Sequence, residues 1–101
     1  MPEPHLDKLY AYYPNIIDLM PDRFSSHEFI ERLFQQHQAD FIDALYKYRS
    51  LDAPVRSLTA PLSKQLHNHP RLVQYDGHEQ SKNLFSDEGQ CAVWVRKKQA
   101  S

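Results

Sequence analysis

Residues 55 to 96 run in a fixed order: amphipathic segment, proline, β-like run, polar loop, β-like run. Few folds accept that order. Val55, Leu58, Leu62 and Leu66 recur every three or four residues and define one buried helical stripe, and Pro70 closes the segment. Leu72 to Tyr75 then reads as a strand. Cys91 to Arg96 is the strongest strand of the chain, with Cys91, Val93 and Val95 on one face and Ala92, Trp94 and Arg96 on the other. The chain has only two glycines, Gly77 and Gly89, and they bracket the polar loop between these runs. Asp76-Gly77 is a turn signal, so a hairpin is expected with a long tip, His78 to Glu88. Leu84-Phe85 within the tip is expected to fold back onto the core.

Pro61 divides the helical segment. An interior proline removes an amide and crowds the preceding turn, and Ala60 before it is pushed from helical angles. Two arrangements are open. One is a short helix at Val55 to Thr59 followed by a second from Pro61 to His69, with Thr59 as cap. The other is a single kinked helix.

Upstream, Ser25-Ser26-His27-Glu28 matches a capping box, and Phe24 and Phe29 stand where a hydrophobic staple would place them. The start of a helix at Ser25 is therefore doubly specified. Its apolar positions run through Phe29, Ile30, Leu33, Phe34, His37, Phe41, Ile42, Leu45 and Tyr48. One long helix to about Tyr48 is expected, and a break near Gln38 to Asp40 is the alternative. His5 to Tyr13 and Asn15 to Met20 read as two short helical pieces separated at Pro14.

With 101 residues, 41% hydrophobic and 25% charged, the chain has the composition of one ordinary globular domain. No run approaches the roughly 20 apolar residues of a membrane helix. Met1 to His5 lacks the basic and apolar regions of a secretory signal, and Cys91 is the sole cysteine, so a cytoplasmic location is expected. Residues 1 to 53 carry five Lys/Arg against nine Asp/Glu, whereas residues 54 to 101 carry seven against four. That asymmetry points to one interacting face in the second half.

The expected fold class is α+β, mostly α: a long central helix, shorter helices and a small antiparallel hairpin. Helix, helix, strand, wing loop, strand over residues 24 to 96 resembles a winged-helix domain. Residues 1 to 23 are then an N-terminal helical extension and residues 97 to 101 a tail. The resemblance lies in the helix from Ser25, the segment around Pro61 and the hairpin. It implies DNA binding through the helix Pro61 to His69. Two features depart from the pattern: the long first helix, and a wing with Asp76, Glu79, Asp87 and Glu88 against one lysine.

Candidate nucleic-acid contacts are Arg56, Ser63, Lys64, Gln65, His67, Asn68 and Arg71, with Lys82 in the wing and Arg96 and Lys97 after it. Lys, Arg and Ser suit phosphates, and Gln, Asn and Arg suit base edges. Asn83 and Lys98 extend the same set. The plain alternative is a solvated helix face. A second class of function is a protein-interaction or homodimerisation module, with the hairpin edge and Tyr12 and Tyr13 meeting the partner. Tyr12, Tyr46 and Trp94 are the aromatics expected at the surface.

His67, His69, His78 and Cys91 lack zinc-ligand spacing, so no metal is expected. No P-loop, G-x-S-x-G, G-x-G-x-x-G or H-E-x-x-H is present. A non-enzymatic binding module without a cofactor is therefore expected, with DNA, a second copy or another protein as partner and no membrane.

Overall fold

The computed structural model of the chain describes residues 6–82 and 88–97. Among them the chain forms five α-helices and a three-stranded antiparallel sheet, an α+β fold that is mostly α. Helices α1 (Asp7–Ala11) and α2 (Tyr13–Leu19) are followed by strand β1 (Arg23–Ser25). Helices α3 (Ser26–Gln36), α4 (Gln38–Tyr46) and α5 (Pro54–Gln65) come next. A short 3-10 turn, Leu66–Asn68, leads into the hairpin β2 (Val73–Lys82) and β3 (Glu88–Arg96). The sheet order is β1-β3-β2.

The capping box forms as expected. The Ser25 hydroxyl accepts from the Glu28 amide at 3.1 Å, and the Glu28 carboxylate accepts from the Ser25 amide at 3.1 Å. The Phe24 and Phe29 rings lie 6.0 Å apart, completing the staple. Phe24 belongs to β1, a strand of three residues too short to carry any periodicity. It exists because β3 supplies its partners: Arg23 faces Val95, Phe24 faces Trp94 and Ser25 faces Val93.

The long central helix is not continuous. It breaks at His37, whose backbone leaves helical angles (φ −138°, ψ 55°). The cause lies far away in sequence. Tyr12 stacks flat on the His37 ring at 3.5 Å, and its hydroxyl donates to the Asp40 carboxylate at 2.6 Å. The break turns α3 and α4 against each other so that Phe34 and Phe41 meet edge to face at 5.1 Å. It also shifts the helical phase. Phe41 and Ala44 face inward on α4, while Ile42, expected in the core, is 54% exposed.

Helix α5 is one helix, with Pro61 inside it. The two-helix arrangement and the capping role of Thr59 are both set aside. The Thr59 hydroxyl instead bonds back to the Arg56 carbonyl at 3.4 Å. Leu58, Leu62 and Leu66 are completely buried on one stripe, and their burial outweighs the lost amide of Pro61. Near the C-terminal end, the Leu66 amide bonds to the Ser63 carbonyl rather than to that of Leu62. The freed Leu62 carbonyl is taken by the Tyr13 hydroxyl, at 2.6 Å. Tyr13 is fully buried, and burial raises its phenol pKa well above the usual value. It therefore stays a neutral donor.

The hairpin strands are longer than the sequence suggests. Asp76-Gly77 is not a turn but a bulge within β2, where the register with β3 slips between Tyr75 and His78. Gly77 takes φ +94°, a conformation open to glycine. Trp94 is 2% exposed and lies in the core, so its expected place at the surface is incorrect. Cys91 and Val93 are also buried, outside the contiguous core cluster. The expected fold-back of Leu84-Phe85 lies outside the described residues, as do His5, Asn83 and Lys98.

Tyr13→Phe keeps the ring but orphans the Leu62 carbonyl. Denaturant unfolding is expected to show a loss of about 1–3 kcal/mol, and an unchanged midpoint would mean that the carbonyl is satisfied in another way.

Candidate nucleic-acid interface

Residues 53 to 75 contain Arg56, Lys64 and Arg71 and no carboxylate. Helical geometry turns this stretch into a surface. Arg56, Ala60 and Lys64 follow at four-residue spacing on the solvent side of α5, and His67, Asn68 and Arg71 extend the exposed line past the helix end. At a rise of about 1.5 Å per residue, Arg56 and Lys64 stand about 12 Å apart along the axis. None of Arg56, Lys64 and Arg71 enters an ion pair among the described residues.

The direction of this ridge is set by a buried polar contact on the other side of α5. Ser63, expected on the exposed side, is turned inward, and its hydroxyl donates to Ser26 Oγ at 2.8 Å. The Trp94 indole N–H donates to the same oxygen at 2.9 Å. Ser26 is the first residue of α3 and is 1% exposed. One hydroxyl thus joins α3, α5 and β3, leaving Lys64 and Arg56 to face out.

Other expected contacts are engaged within the fold. Arg96 reaches back to α2 and the turn after it, donating to the Asp18 carbonyl at 2.9 Å and pairing with Asp22 at 3.5 Å. The Lys97 ammonium donates to the Pro70 carbonyl at 2.6 Å. Gln65 accepts from the Asn68 amide at 2.8 Å, so these two polar ends orient each other. Lys82 ends β2 opposite Glu88, and its side chain lies outside the described part.

Sequence reasoning missed Tyr75. It is 43% exposed, beside the end of α5, with its ring 5.9 Å from that of His67 and 5.7 Å from that of Trp94. Its hydroxyl shares a hydrogen bond with His78 Nδ1 across the bulge. Strand alternation from the buried Val73 points Tyr75 inward, and only the bulge next to it explains why it stays at the margin. The acidic wing is partly neutralised: Arg23 on β1 reaches Asp76 and Glu79, both at 3.2 Å. These carboxylates hold the Arg23 guanidinium pKa above its ordinary value.

Tyr13, offered by the sequence as half of a partner surface, is interior, and the Tyr12 hydroxyl is committed to Asp40. That face is unavailable. Among the described residues no group of three or more His, Cys, Asp or Glu could hold a metal ion. No helix there is long and apolar enough to cross a membrane.

His69 follows the 3-10 turn and stacks on Tyr13, ring centroids 5.6 Å apart. Its Nε2 is enclosed with no hydrogen-bond partner among the described residues. Burial lowers its pKa from the usual 6.5, because the charged form loses water. The neutral ring is therefore the form the fold favours. Its full contribution holds above the unfolded pKa and declines as pH falls below it, since the unfolded chain binds the proton more readily. Lowering the pH from about 7.5 to about 5.5 should reduce the melting temperature of the natural chain more than that of His69→Phe. Equal reductions would remove His69 as the cause.

No family model matches this chain, and no curated protein or solved structure matches it.

Proposed function

We propose that this chain is a small non-enzymatic, winged-helix-like module that binds duplex DNA through the exposed ridge of α5 and the residues just after it. The single observation that carries the reading is the ridge itself: Arg56, Lys64 and Arg71 unpaired and outward, with no carboxylate from Ala53 to Tyr75. Cations free of internal partners are the groups that neutralise phosphates and release counterions. His67 and Asn68, exposed next to them, are suited to polar contact with phosphates or base edges.

Two features of the fold support this reading. The break at His37 limits α3 to 11 residues, which removes the excess length that set the chain apart from the winged-helix pattern. Arg23 offsets two wing carboxylates that would otherwise repel phosphate. The contact set narrows to Arg56, Lys64, His67, Asn68 and Arg71, because Ser63, Arg96 and Lys97 are engaged internally.

Fluorescence anisotropy with random duplex DNA at rising salt tests the proposal. Three phosphate contacts imply a log–log slope near −3, at about −0.9 per contact. Replacing Arg56, Lys64 and Arg71 together by alanine should remove most of the binding and flatten the slope, whereas Lys8→Ala on α1 should change little. Absence of binding at low salt, or unchanged affinity in the triple variant, would overturn the proposal.

A further inference from the structure

The phase shift at His37 leaves α4 with an apolar stripe that nothing in the described fold covers. Ile42 is 54% exposed and Tyr46 61% exposed, one turn apart on the same side. Arg49 covers part of the Tyr46 ring, with its guanidinium carbon 3.9 Å from the ring centroid. Asp43 and Lys47 form a second exposed row directly alongside, again four residues apart. Neither enters an ion pair among the described residues.

We infer that this face of α4 binds a second copy of the chain, α4 against α4 in antiparallel orientation about a two-fold axis. The charge pattern commits the surface to that partner. A two-fold axis perpendicular to both helices, level with Ala44, brings Ile42 of one copy against Tyr46 of the other. The same rotation keeps the charged rows on one flank and reverses their direction, so Asp43 of each copy meets Lys47 of the other. The face is thus its own complement in shape and in charge, as an isologous contact requires. A parallel arrangement would set Asp43 against Asp43 and Lys47 against Lys47. The interface is small, so association in the range of about 10–100 µM is expected. This inference does not rest on the DNA reading, since α4 and the α5 ridge are separate surfaces.

Sedimentation equilibrium of the full chain at low salt, from about 1 µM to about 1 mM, reads it directly. A reversible rise from one to two copies is expected, ending at two because the contact closes on itself. Ile42→Lys should abolish the rise. D43K and K47D each place like charges opposite one another and should each weaken association at least about tenfold. Mixing D43K with K47D should restore a dimer, as should the double reversal D43K/K47D in one chain. Circular dichroism shows that each variant is folded, as expected for exposed positions. A natural chain that stays monomeric to about 1 mM, growth past two copies, or failure of the mixture to associate overturns the inference.

Discussion

A single buried hydroxyl, Ser26 Oγ, sits where three elements meet. It accepts the indole N–H of Trp94 from the sheet and the hydroxyl of Ser63 from α5, and its own residue opens α3. A buried indole N–H without an acceptor costs about 1–3 kcal/mol, so this junction constrains the rotation of α5 against the sheet. Ser25 beside it caps α3, and Phe24 before that fills the core opposite Trp94. Three consecutive residues thus start a helix, seat a strand and orient the exposed ridge. The polar and apolar parts of the core converge on the same short stretch.

Tyr13 plays a comparable part at the other end of α5. There the helix tightens into a 3-10 turn and releases a carbonyl, and a phenol from α2 takes it. The N-terminal helices are therefore part of the core and not an appendage to it. The same phenol ring carries His69 on one side and Phe29 on another, which ties the end of α5 to the middle of α3.

Features specified by near neighbours were legible in the sequence. The capping box, the staple, the leucine stripe of α5 and the strand Cys91 to Arg96 all follow from spacings of a few residues. Features decided at long range were not. The apolar period runs through His37 without a flaw, and the break depends on Tyr12 packing from another helix. Pro61 invites a split that the buried leucines on either side overrule. The basic ridge was legible as a set of residue types. Which members stay free was not: Ser63 has the same local setting as its exposed neighbours, and its fate depends on Ser26, 37 residues away. Arg96 and Lys97 likewise find internal acceptors that only the tertiary fold supplies.

The bulge at Asp76-Gly77 has a consequence beyond the hairpin. β2 is an outer strand of the sheet, with a row of backbone groups that no other strand of the fold pairs. A straight edge of ten residues would serve as a template for a strand from another molecule. The slipped register and the left-handed glycine interrupt that row, and the carboxylates of Asp76 and Glu79 stand beside the gap. A chain laid along the edge could keep step on one side of the bulge but not on both. The irregularity therefore protects the molecule against sheet-to-sheet aggregation while leaving its helical surfaces free to associate.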